Sequence, residues 1–539
     1  MNRFAAPVPY KPVPGSVVDA AEPGAWCPQA LGDVLPFTSQ VTNISENCLS
    51  LRIARPAGTK PDAKLPVMVW LHSGGNVLGS ASEKLYKPDG LIRQAVTDDQ
   101  PVIYVAMNYR LGIFGFAMSD ALVKAEQTNV GFRDQQLAFE WVKNNIAVFG
   151  GDPRRVTAFG HSVGGVNIGF HLIAYGGKRG APFQNAIMLS GSPGTMINMG
   201  SEISKNATAV VAEKVGCVEN GDSQSTATLA CMREAPFEAI RQTSVQISQE
   251  ARPPFGEMCF HTVIDNELFT DRPSKLMRGG QFVKGVSLLA SWTANEGAWY
   301  ASPATTRDEE ILDGLRVWLP RLSPATGDQL LELYPLADFE YMIRPDYDGP
   351  ISPQYYRAAQ MSRDILFTCP TLDFTWHYVN KGGARSGNVR LFEHNATRYT
   401  PIFEKMGVPM WRVAHLSDIP YVFNELVDGG ADNSFPQLEL GKLMSGTAVK
   451  FASSSTPVGS SNHVDYWPLA YQNAGGDDKQ EFSEQISLKV FGGQYGARTV
   501  RVSKDSPAVS AEEQAVLNEK LFERCKFINS DQFRQEVGI

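Results

Sequence analysis

Apolar runs alternate with helix-spaced apolar positions along most of the chain. Pro66-Val67-Met68-Val69-Trp70-Leu71 and Pro101-Val102-Ile103-Tyr104-Val105-Ala106-Met107 read as buried strands. So do Val156-Thr157-Ala158-Phe159, Asn185-Ala186-Ile187-Met188-Leu189, Val286-Ser287-Leu288-Leu289-Ala290 and Val389-Arg390-Leu391-Phe392. From Phe132 to Ile146, Leu137, Phe139, Trp141, Val142 and Ile146 suit a helix. Phe149-Gly150-Gly151-Asp152-Pro153 reads as a stop and turn. Strands that are apolar throughout, separated by helices, predict an α/β fold: a mostly parallel sheet covered on both faces. Residues 1–60 read as turn-rich and irregular, and roughly 305–380 as a helical cap over the sheet's C-terminal edge.

Composition narrows this picture only a little. The chain has 539 residues, 43% hydrophobic and 20% charged, which is ordinary globular material. Length alone suits two to four domains, but no linker divides it, so one domain over 1–539 with insertions is expected. A net charge of −8 argues against nucleic acid as a partner. No run is long and apolar enough to span a bilayer. None of the seven cysteines is in C-x-x-C spacing and no H-E-x-x-H occurs, so no metal and no cofactor is expected. Their odd number leaves at least one free thiol in a monomer. Asn43, Asn206 and Asn395 lie in N-x-[ST] sequons, a number near chance for the length.

Chemistry enters at Gly160-His161-Ser162-Val163-Gly164, after the strand ending at Phe159 and before a helix starting near Gly164. Strand, sharp turn with a serine, then helix is the nucleophile-elbow pattern, and glycines flank the serine because the turn packs tightly. A serine hydroxyl needs a base, and the base needs an acid to fix its tautomer. In hydrolases of this architecture the chain order is serine, acid, histidine. Of the eight histidines, His377, His394, His415 and His463 lie late enough to serve.

His415 opens the stretch His415-Leu416-Ser417-Asp418-Ile419-Pro420-Tyr421-Val422-Phe423. Here the chain resembles a type-B carboxylesterase, the family that includes cholinesterases and fungal lipases, whose histidine loop reads H-G-x-[DE]-[IL]-P-[YF]-V-F. Asn108 to Phe116 resembles the family's N-Y-R-x-G-x-x-G-F, Asn129 to Asp152 its N-x-G-x-x-D-Q segment, and Ser45-Glu46-Asn47-Cys48-Leu49 its S-E-D-C-L. Arg524-Cys525-Lys526-Phe527-Ile528-Asn529 is similar to the ending of fungal members. The resemblance runs from Arg3 to the end of the chain.

The resemblance implies an α/β-hydrolase fold with cap insertions at roughly 235–285 and 300–385. It implies Ser162 as nucleophile, His415 as base and Glu296, in Thr293-Ala294-Asn295-Glu296-Gly297, as acid. The loop Leu71-His72-Ser73-Gly74-Gly75-Asn76 resembles H-G-G-G, so the amides of Gly74, Gly75 and Val163 are expected to hold the oxyanion. His72 is expected to brace that loop, His394 to pack locally and His463 to be solvated. Cys27–Cys48 and Cys217–Cys231 match the family's paired cysteines, and Arg3 and Glu46 a family ion pair. The implied reaction is two-step acyl transfer on a neutral, hydrophobic small-molecule ester, by a monomer or homodimer. Acyl transfer to an acceptor other than water, and a non-catalytic binding module, are the alternatives.

Four departures modify these expectations. His161 stands where the family has glutamate, which argues against a cationic substrate. Ser73 replaces the first glycine of the oxyanion loop. No tryptophan lies between Cys27 and Cys48, where cholinesterases carry the one that holds choline. Met1-Asn2-Arg3-Phe4 aligns well inside the family pattern. Either the chain is naturally short and cytoplasmic as it stands, or its start is incomplete and a secretory leader is lost.

Overall fold

The apolar runs lie side by side as strands in a computed structural model. It describes residues 3–538 apart from 34, 198, 219–220, 345–348, 427–433, 456–466 and 472–482. His463 therefore lies outside the described residues. The strands are β1 (Leu51–Ala54), β2 (Leu65–Leu71), β3 (Ile103–Met107), β4 (Gly151–His161), β5 (Asn185–Leu189), β6 (Ser287–Thr293), β7 (Val389–Asn395), β8 (Gln485–Gly492) and β9 (Arg498–Ser503). Among the described residues they form one nine-stranded sheet in the order β1-β3-β2-β4-β5-β6-β7-β8-β9. The pairs from β3–β2 to β7–β8 are parallel, and only β1–β3 and β8–β9 at the two edges are antiparallel.

β2 explains why these strands are apolar throughout. Side chains alternate across a sheet. Val67, Val69 and Leu71 enter one hydrophobic core, while Met68 and Trp70 enter a second on the opposite face, against Phe159 and Phe423. β4 starts at Gly151 rather than at Val156, so Gly151-Asp152-Pro153 belong to the strand. The turn is tighter than expected and closes at Gly150 (φ 92°). Pairing with β2 then shifts register between Leu65 and Val67, which absorbs the extra residues. The helix expected from Phe132 runs Val130–Asn145. β1, inside the region read as irregular, and the edge pair β8 and β9 were not expected.

The cap segments carry the helices Phe237–Ala251 and Pro273–Arg278, then Asp308–Trp318, Pro324–Leu333, Pro353–Arg363 and Cys369–Gly382. Cys27–Cys48 and Cys217–Cys231 are bridged. A third bridge, Cys369–Cys525, closes a span of 156 residues, and Cys259 is the buried free thiol. Arg3 grips Glu46 with two N–H···O bonds of 2.7 Å and also donates to the Met232 and Ala235 carbonyls. Arg363, fully buried, joins Glu393 at 3.3 Å and Glu519 from the C-terminal segment. Among the described residues no helix is long and apolar enough to cross a membrane.

Candidate active site

Ser162, Glu296 and the glycines of the 72–76 loop follow the C-terminal ends of parallel strands, where crevices form in open α/β sheets, whereas His415 lies in a loop well beyond β7. β4 ends at His161 and a helix begins at Val163, leaving Ser162 alone to make the turn. Its backbone is at φ 56°, ψ −126°, a left-handed conformation that a serine holds only under constraint. The constraint is visible: the Ser162 N–H donates to Leu189 O at 2.8 Å, and its carbonyl accepts from Val166 N at 3.0 Å. The helix start also abuts the end of β2. A Cβ on Gly164 would come within 2.1 Å of Leu71 O, so only glycine fits there.

Glu296 follows β6 and is fully buried. Its Oε2 accepts from the Thr293 N–H at 2.5 Å, and its Oε1 is hydrogen-bonded to His415 Nδ1, across 119 residues of sequence. Two backbone bonds lock the loops that present them: Ala294 N donates to His394 O and Asn295 N to Val413 O. With Nδ1 engaged, Nε2 is the ring nitrogen left to His415. His415 and Ser162 line the same cavity. Phe367 packs at 5.0 Å and Trp299 at 5.4 Å from the imidazole, shielding the Glu296–His415 pair from water.

The oxyanion loop follows β2. Gly74 O accepts from Val77 N and Leu78 N at 2.9 Å, and Gly112 N donates to Asn76 O at 2.7 Å. Among the described residues the Gly74 and Gly75 N–H groups donate to no protein oxygen. Such unengaged amides are what a developing oxyanion needs. Val163, first residue of its helix, likewise has no partner four residues back within the helix. His72 Nδ1 lies 2.8 Å from Ser73 O and its ring stacks on Tyr109 at 4.3 Å, so this imidazole is part of the loop's frame. Burial lowers its pKa to about 4, and does the same to His394, which packs on Tyr421.

The family model for the carboxylesterase family matches residues 1–489. The chain belongs to the carboxylesterase family. It is 35% identical over 500 residues to "Inactive carboxylesterase-like protein VdtD" of Byssochlamys spectabilis, covering 91% of this chain and 84% of that one. It is 32% identical over 545 residues to "Secreted lipase ARB07186/07185" of Arthroderma benhamiae, covering 99% and 90%. An acetylcholinesterase of Bungarus fasciatus is 28% identical over 486 residues, covering 86% and 74%. The family and its lipase relatives make this carboxylesterase a carboxylic-ester hydrolase.

Two of its departures from the family pattern touch each other. Ser73 Oγ lies 2.6 Å from His161 Nδ1 and 3.1 Å from the His161 carbonyl oxygen, joining the oxyanion loop to the elbow. On the far side of the ring, His161 Nε2 faces Asp418 Oδ1 at 3.5 Å, and all three side chains are buried. Burial, and then the nearby His415, hold the His161 imidazole well below its usual range, so it is neutral. Burial, and then the Glu296 carboxylate, push Asp418 up to about 7. His161 Nε2 and both Asp418 carboxyl oxygens are buried without a hydrogen bond to each other.

Sequence reasoning placed Asp418 in the histidine loop but assigned it nothing. It also missed Glu257, which lines the cavity beside Ser162 and His415. Donor atoms of His161, Glu296 and His415 lie within 4.8 Å of one another, as metal ligands would. Within this cluster Glu296 and His415 are already hydrogen-bonded to each other, with the elbow histidine beside them.

Proposed function

We propose that this carboxylesterase cleaves a neutral ester through an acyl-enzyme on Ser162, with His415 as base and Glu296 as its orienting acid. Ser162 Oγ attacks the carbonyl carbon while its proton passes to His415. The carbonyl π electrons move to oxygen, held by the amides of Gly74, Gly75 and Val163. Collapse breaks the carbon–oxygen bond to the alcohol, which leaves with the proton from His415. Water then repeats the sequence, releasing the acid and restoring Ser162. Glu296 keeps the Nδ1–H tautomer and stabilises the imidazolium.

The observation that carries this reading is the Glu296–His415 hydrogen bond, with His415 lining the cavity that Ser162 also lines. A fluorophosphonate probe and a panel of p-nitrophenyl esters test it. The probe labels Ser162, and Ser162→Ala removes both labelling and hydrolysis, by about 10⁴-fold or more, without lowering thermal stability. A Ser162→Ala protein retaining a tenth of wild-type activity overturns it.

A second reading follows from the relative described as inactive: a carboxylesterase-like chain that binds without turnover. Failure of the probe to label Ser162 favours it. Transfer of the acyl group to an added alcohol or amine, detected by product analysis, favours the same acyl-enzyme with a different acceptor.

A further inference from the structure

Glu257 lies between the helices Phe237–Ala251 and Pro273–Arg278, and its side chain covers the oxyanion loop. A Cβ on Gly75 would come within 2.5 Å of Glu257 Cγ. The carboxyl is thus beside the amide expected to hold the carbonyl oxygen of an ester. The Tyr300 hydroxyl donates to Oε2 at 3.4 Å, a long contact, and among the described residues Oε1 accepts no hydrogen bond. The exposed part of this half-buried residue faces the cavity, where Phe255 and Trp299 flank it.

Glu83 also lines the cavity, but both of its oxygens already accept protein hydrogen bonds, Oε1 three of them and Oε2 the Ser39 N–H. It accepts from Ser39 N and Oγ and from Leu85 N. Neither lysine nor arginine is among the described residues that line this cavity. Glu257 is a carboxylate of this lining whose Oε1 has no hydrogen-bond partner among the described residues.

Oε1 has no protein partner among the described residues and is open to solvent or ligand. An ester filling the cavity displaces solvent, and a carboxyl oxygen left unpaired against apolar substrate opposes binding. The substrate must bring its own partner. Its position is constrained, because the carbonyl oxygen sits on Gly74 and Gly75 and Glu257 sits over Gly75. We propose that Glu257 is the specificity-determining residue of this site, and that the substrate is an ester with a hydroxyl a few bonds from the reacting carbonyl, bound at Oε1. This rests on the ester-cleaving reading of Ser162. A hydroxyl suits the site better than an ammonium group. Burial raises the Glu257 pKa, and a hydroxyl can donate to the carboxylate or accept from the carboxylic acid.

Matched substrates test the assignment on the full chain. One pair is p-nitrophenyl butyrate and p-nitrophenyl 3-hydroxybutyrate. The other is ethyl and 2-hydroxyethyl butyrate. Butyrylcholine supplies a cation without a donor. The hydroxylated member of at least one pair is cleaved with about 10–100-fold higher kcat/KM, the range for one hydrogen bond to a charged group. Glu257→Leu abolishes that preference. Glu257→Gln, nearly isosteric and still an acceptor, reduces it, and serves if the leucine variant does not fold. Equal rates within both pairs, a preference that survives both substitutions, or butyrylcholine cleaved faster than either hydroxylated ester each overturn the assignment. Fluorophosphonate labelling of Ser162 separates the two levels. Labelling without hydroxyl preference overturns the role of Glu257 alone, whereas no labelling and no cleavage of any ester overturns the ester-cleaving reading and this assignment with it.

Discussion

The floor and the wall of the cavity are built on different principles. On the floor, Ser162, Glu296, Gly74 and Gly75 each sit within four residues of the end of a buried parallel strand, and backbone hydrogen bonds fix each turn. On the wall, Phe255 and Glu257 come from a cap segment, Phe255 packing on Trp299 of the turn after β6, with a carboxyl oxygen of Glu257 left to the cavity. The floor has the rigidity that transition-state stabilisation needs. The wall can vary without disturbing it. On the proposed reading, chemistry belongs to the sheet and selectivity to the insertions.

Substitutions on the floor sharpen this contrast, the largest effect first. Glu296→Gln leaves the shape intact but no longer stabilises the Nδ1–H tautomer or the imidazolium. It lowers kcat by about 10³–10⁴-fold with folding unchanged, as measured by steady-state hydrolysis and thermal unfolding. A loss below tenfold breaks the assignment of Glu296. Gly75→Ala places a methyl group at φ 59° against Glu257 and displaces an oxyanion amide. The expected cost is about 10²–10³-fold in kcat, read against a KM that changes far less.

Ser73→Ala and His161→Gln test the link between loop and elbow. Each lowers kcat about threefold to tenfold, and the double variant is no worse than the poorer single one, because both remove the same contact. Additive losses would mean that the two residues act separately. The smallest effect is on stability rather than rate. Asp418 holds its proton more tightly folded than unfolded, its pKa rising from 3.8 to about 7. The native state therefore binds more protons between these values, and stability falls as pH rises through this window. Asp418→Asn carries no such proton. Its stability relative to wild type increases from pH 4 to pH 8 by about 2 kcal/mol or more, measured by denaturant unfolding at each pH. A constant difference across that range contradicts the buried, proton-holding state of Asp418.

The same contrast explains what the sequence disclosed. Strand-end residues are legible because a sharp turn demands particular types at fixed spacing, as Gly160 to Gly164 do around Ser162. Apolar runs such as Val67–Leu71 announce buried strands for the same local reason. β8 and β9 escaped because polar residues interrupt them: Ser487 and Lys489 are buried within β8, and β9 exposes alternate positions. Glu257 is one of 57 acidic residues, and nothing beside it in the chain marks it. The Ser73–His161 contact spans 88 residues, and the Cys369–Cys525 bridge spans 156. The first depends on which strands pair in the sheet and the second on how the tail packs against the cap, neither of which local patterning encodes.

The bridge between Cys369 and Cys525 has a consequence for the imidazole. Phe367 packs on His415, and it lies between Arg363, which pairs with Glu519, and Cys369, which is bonded to Cys525. Two anchors from the tail of the chain thus clamp, on either side, the short stretch that packs on the His415 ring. Trimming the protein ahead of Glu519 would remove a strap from behind His415 while leaving every motif in the sequence untouched.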